Sequence, residues 1–137
     1  MVKQTTPYGI SVMMDVPYEQ AVPRVREALA KEGFGVLTEI DVAATLKKKL
    51  DVDFTPYIIL GACNPPLAHQ ALSAERDIGL LLPCNVVVYA ADEPSRSVVA
   101  AMDPVAALAL TGNKAIGPLA ADVRGRLERV LNSVAGK

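Results

Sequence analysis

The segment that most restricts how this chain can fold is Cys84 to Met102. Two apolar runs, Cys84-Asn-Val-Val-Val-Tyr89 and Ser97-Val-Val-Ala-Ala-Met102, are separated only by Ala90-Ala-Asp-Glu-Pro-Ser-Arg96, a stretch rich in chain breakers. So short a connection joins strands as antiparallel neighbours, because a parallel crossover takes roughly a dozen residues or more. The rest of the 137-residue chain has to be arranged about that hairpin. Its length is that of one domain, spanning residues 1–137.

Three further runs read as strands. Tyr8-Gly-Ile-Ser-Val-Met-Met14 alternates Ile10, Val12 and Met14 with Gly9, Ser11 and Met13, the period of a half-buried strand. Phe34-Gly-Val-Leu-Thr-Glu-Ile40 predicts a second strand, with Phe34, Val36, Thr38 and Ile40 on one side and Leu37 and Glu39 on the other. Tyr57-Ile-Ile-Leu-Gly-Ala-Cys63 is apolar on both sides, the mark of an interior strand.

Helical spacing fills the intervals. Tyr18, Ala21, Val22, Val25, Ala28 and Leu29 form one stripe, closed by Gly33. Pro23 lies inside it and predicts a bend, or a helix whose regular part begins late, since it cannot donate to the carbonyl of Glu19. Asp41 caps a short helix bearing Val42, Leu46 and Leu50; the Lys47-Lys-Lys49 run on it is answered at once by Asp51 and Asp53. Asn64-Pro65-Pro66 and Asp103-Pro104 are two cap-then-proline starts, launching helices to about Ala74 and over Val105–Leu110. The last helix has the cleanest stripe: Ile116, Leu119, Ala120, Val123, Leu127, Val130, Leu131 and Val134. The result is an α+β fold, with helices on one face of a mainly antiparallel sheet.

Composition bounds the function. Hydrophobic residues make up 51% against 21% charged, so a disordered tail is excluded. A net charge of −1 offers no footprint for nucleic acid and no basic face for an anionic membrane. No apolar stretch approaches the ~20 residues of a membrane span, and the N-terminus lacks a signal-peptide layout. The expectation is a soluble, cytoplasmic protein. With no Trp and six Phe or Tyr, the interior must be built from Ala, Val, Leu and Ile. Mean hydropathy of +0.27 in so small a domain predicts a homodimer, formed where the sheet keeps an uncovered face or edge.

The chemistry-bearing positions gather in Gly61-Ala-Cys-Asn-Pro-Pro66 and Leu82-Pro-Cys84. Cys63 ends a strand just before a helix N-terminus, a setting that favours thiolate. If the strands bearing Cys63 and Cys84 pair antiparallel, the end of one lies opposite the start of the other. His69 could overhang the same place, and Glu75 is close in sequence. Three readings follow. The first is a small-molecule or metal pocket lined by Cys63, Asn64, His69 and Cys84. The second is a thiol-dependent enzyme or redox switch with Cys63 as nucleophile and His69 as base. The third is a scaffold whose cysteines are structural. Spacing for metal is poor, with no C-x-x-C and a single His. Asn64 is explained by capping alone, and Glu39 by a solvent-facing sheet position. Phosphate-loop, dinucleotide and G-x-S-x-G motifs are absent, and cofactor, ligand and substrate stay unassigned.

The run Gly61-Ala-Cys-Asn-Pro65, followed by Ala68, Leu72, Leu81-Leu-Pro-Cys84 and Val86 to Tyr89, resembles the domain-of-unknown-function family numbered 302. Tyr18 to Gly33 and Phe34 to Asp41 are similar to its opening helix and second strand, so the resemblance spans about Gly9 to Pro104. It implies a small bacterial or archaeal α+β protein with a TATA-box-binding-protein-like β-α-β4-α arrangement. It marks Cys63, Asn64, Pro65, Leu82, Pro83 and Cys84, and it assigns no reaction. The doubled proline at 65–66 and Pro23 depart from its pattern. The architecture does not imply DNA binding, because charge and wedge residues for the minor groove are lacking.

Overall fold

The computed structural model describes residues 2–137. Its strands are β1 (Lys3–Thr6), β2 (Gly9–Met14), β3 (Gly35–Asp41), β4 (Tyr57–Cys63), β5 (Cys84–Ala90) and β6 (Ser97–Met102). Its α-helices are α1 (Tyr18–Lys31), α2 (Val42–Leu50), α3 (Pro65–Ala74), α4 (Pro104–Leu108) and α5 (Gly117–Val134). Short 3-10 segments cover Arg76–Leu81 and Ala109–Thr111. The strands form one sheet in the order β1-β2-β6-β5-β4-β3, with every neighbouring pair antiparallel. The hairpin pairs Val86 with Ala101 and Val88 with Val99, as the short connection demands.

Alternation decides which side is filled. Ile10, Val12 and Met14 on β2, Ile58, Leu60 and Ala62 on β4, Val86 and Val88 on β5, and Val99 and Ala101 on β6 are buried together. Against them pack Ala21, Val25, Ala28 and Leu29 of α1 and Leu127, Val130, Leu131 and Val134 of α5. Interiors made of such short side chains stay dense only if helices lie close to the sheet. A smaller, separate cluster joins Ala71 of α3, Ile78, Leu108 of α4, and Ile116 and Ala120 at the start of α5. Asp103 ties it together: its Oδ1 accepts from Val105 N at 3.0 Å and lies 3.2 Å from Arg124 Nε on α5. Among the described residues no helix is long and apolar enough to cross a membrane.

The caps fall where expected. Asp41 accepts from Ala44 N, and Asn64 accepts from Leu67 N at 3.3 Å. Three expectations need correction. β1 is an additional edge strand whose residues, polar and largely exposed, carry no apolar alternation to announce it. The regular part of α1 does not begin late, for the helix starts at Tyr18 and contains Pro23; both Pro23 and Glu19 are exposed, so the carbonyl left without a donor can be hydrated. In β3 the register slips between Val36 and Thr38. That bulge turns Val36 toward the helices, with Ala62, while Thr38 and Ile40 lie on the open side opposite Gly61 and Ile59. Glu39 is exposed on the helix-bearing side and pairs with Arg26.

Gly61 fixes how β3, β4 and the turn into β5 fit together. A Cβ built there would collide with Thr38 Oγ1 and lie 2.8 Å from Pro83 Cγ, closer than packed atoms approach. Gly61→Ala should therefore lower the unfolding free energy by roughly 1–3 kcal/mol through overpacking. An unchanged urea midpoint for this variant would show that the packing over Gly61 yields freely.

Candidate functional site

The β4–β5 register opposes Ala62 to Cys84, so the end of β4 and the beginning of β5 lie side by side. Immediately after Cys63 the chain turns at Asn64 into α3, and immediately before Cys84 it passes the cis Leu82–Pro83 peptide. These segments enclose one end of a cavity of about 320 Å³. Its floor is Ala62 and Phe34, whereas α3 supplies Leu67, Ala68, Ala71 and Leu72. The far wall is Leu108, Leu119 and Val123, and Leu37 stands at the bulged edge of β3. The cavity is the unfilled seam between the two buried clusters: Phe34 and Ala62 belong to the larger one, Ala71 and Leu108 to the smaller.

Cys63, Asn64 and Cys84 all line this cavity. His69 does not; it is exposed on α3. Glu75 is engaged elsewhere, accepting from Asn113 Nδ2 at 3.2 Å. Among the described residues no group of three or more His, Cys, Asp or Glu is placed to hold a metal ion. Both thiols are free. Cys63 is half-buried and Cys84 buried. Burial, and secondarily the neighbouring Cys63, push the Cys84 thiol up from 9.0 to about 11. Cys84 is therefore protonated at neutral pH and behaves as a small apolar group with a weak donor.

Several lining residues were not singled out by sequence reasoning. Leu119 and Val123 belong to the α5 stripe, and periodicity identifies them as inward-facing without saying whether anything fills the space before them. Leu37 was assigned by simple alternation, which a bulge defeats. Phe34 and Leu108 look like ordinary core.

The Cys84 shift has a consequence for stability. Because the folded-state value lies above the ordinary one, the neutral thiol's contribution is complete below pH 9 and is lost as pH rises through about 11. The stability difference between the native protein and Cys84→Ala should therefore shrink by about 2 kcal/mol between pH 8 and pH 11. Urea titrations of both proteins at the two pH values measure it, and a pH-independent difference would mean that the thiol is solvated.

Comparison with known proteins places this geometry. No curated protein matches the chain. The sequence profile described as "Domain of unknown function DUF302" matches residues 10–134. Among solved structures, the crystal structure of the uncharacterized conserved protein DUF302 from Bacillus stearothermophilus is similar, with a TM-score of 0.84 and 31% identity. That likeness covers 92% of this chain and 97% of the other. With the profile spanning nearly the whole sheet and both long helices, and a solved relative sharing the fold, this chain belongs to the DUF302 family.

Proposed function

We propose that this protein is a binding module for a small, uncharged, largely hydrocarbon molecule held in the cavity beside Cys63, Asn64 and Cys84. The observation that carries the reading is the chemistry of the walls. Not one cavity-lining residue is charged, in a chain whose charged share is 21%. A ligand charge brought there would be stripped of water with nothing to pair it, at a cost of several kcal/mol. A neutral apolar ligand instead gains about 25 cal/mol for each Å² removed from water.

The space suits a compact molecule. At roughly 30 Å³ per water-sized unit, 320 Å³ holds on the order of ten non-hydrogen atoms. Such a site is at the small end of ligand pockets, which run from ~300 Å³ upward. Polar contact is limited to the few groups that orient a ligand: the Asn64 amide and the two thiols. In this reading the cysteines are soft lining groups, Cys84 because its thiol stays protonated. His69, exposed and outside the walls, has no part in it.

The neutral fluorophore 1-naphthylamine, about eleven non-hydrogen atoms and so matched to this volume, tests the proposal. Its emission should rise saturably, one molecule per chain, with a dissociation constant of micromolar order. Ala68→Phe, which sends a ring into the cavity from α3, should weaken that binding at least about tenfold while leaving the unfolding midpoint in place. Failure to saturate, or equal binding by folded Ala68→Phe, would overturn it.

A further inference from the structure

Beyond ligand binding, we propose that the side of the sheet facing away from α1 and α5 is the contact surface between two copies of this chain, related by a two-fold axis. α1 and α5 cover only the inward rows of the sheet. The outward positions form rows defined by the register. One row crosses Met13, Val98, Tyr89 and Tyr57. The next crosses Ser11, Ala100, Val87 and Ile59. The third crosses Gly9, Met102, Asn85 and Gly61. Three positions on each of four strands make twelve, and none is charged. The large apolar ones are only half-buried.

A face turned permanently to water ordinarily alternates apolar-in with polar or charged out. This one does not. The aromatic side chains reinforce the point, since the chain has only six. Tyr57 and Tyr89 stack on this face with ring centroids 5.2 Å apart, and Phe54, itself half exposed, lies 6.2 Å from Tyr57. Buried tyrosines and their neighbours are the residue types that anchor protein interfaces.

A second copy is the occupant that fits. A two-fold contact sets like against like, so a charged face would repel itself and an uncharged one does not. The only charge that the register adds on this side is Lys3, opposite Ser11 at the β1 margin, too little to hold nucleic acid or an anionic lipid surface. The area is sufficient. The four uncharged strands, about 4.8 Å apart and about 20 Å long, give a footprint on the order of 400 Å², and the outward side chains of β1 and β3 at its margins widen it to about 600 Å². Corrugation by side chains and the rim residues Tyr8 and Phe54 bring that toward the ~800 Å² of accessible surface each partner gives to a standard interface.

Sedimentation of the wild-type protein should show two 14.5 kDa chains per particle at micromolar concentration. Val87→Lys and Val98→Lys should each weaken association by about a hundredfold or more, since the new charge must be desolvated on pairing. Leu110→Lys, at an exposed position off the sheet, should leave the dimer intact. A second measurement needs no variant. Nitration of Tyr89 by tetranitromethane, relative to Tyr18 on α1, should slow as the wild-type concentration is raised through the dissociation constant. A monomer at all concentrations, or a dimer that survives in the folded Lys variants with Tyr89 labelling unaffected by concentration, would overturn the proposal.

Discussion

Helix α5 is the element on which the organisation of this molecule depends. Its second half, from Leu127 to Val134, packs on the sheet together with α1, while Ala120 near its start belongs to the cluster built with α3 and α4. An α-helix rises 1.5 Å per residue, so these 18 residues extend about 27 Å. One rod thus serves two interiors of different shape. Where it passes from one to the other, at Leu119 and Val123, the small side chains of α3 and of the β4 end fall short of it. The cavity is what remains at that junction. Asp103, bridging the start of α4 to Arg124, holds the smaller interior at its distance.

Much of this was legible before any coordinates. The hairpin followed from the length of its connection, the helices from stripe and cap, and the meeting of the Cys63 and Cys84 segments from an antiparallel pairing. These are local rules, or rules that join neighbours in sequence. What stayed hidden depends on tertiary fit. β1 has no apolar signal because it is held by backbone bonds to β2, and a strand secured that way needs no hydrophobic side. The bulge at Leu37 stands beside Thr38 and Pro83, which pack over Gly61, a meeting of three segments that no window of sequence contains. The late start that Pro23 suggested for α1 fails for the opposite reason: the local rule is sound, but its penalty is softened where the orphaned carbonyl meets water. The cavity walls were legible as inward-facing residues and illegible as walls.

The same cysteines that drew attention in the sequence take on a different character in their setting. Proximity to a helix start argued for thiolate chemistry at Cys63, whereas at Cys84 it is burial, working against charge, that sets the thiol's character. Membership of the DUF302 family supplies the fold without a reaction, so the chemistry of the cavity walls has to speak for function. Those walls are poor at stabilising ions and good at excluding water.

The two borders of the sheet carry a last implication. β1 presents Lys3 and three polar side chains at one margin, and β3 presents a bulge, Glu39 and Asp41 at the other. Growth of the sheet by adding strands from other molecules would have to bury these charges and straighten that bulge. A chain in which 51% of residues are hydrophobic is thereby guarded against fibril formation at its margins, however sticky its broad side is.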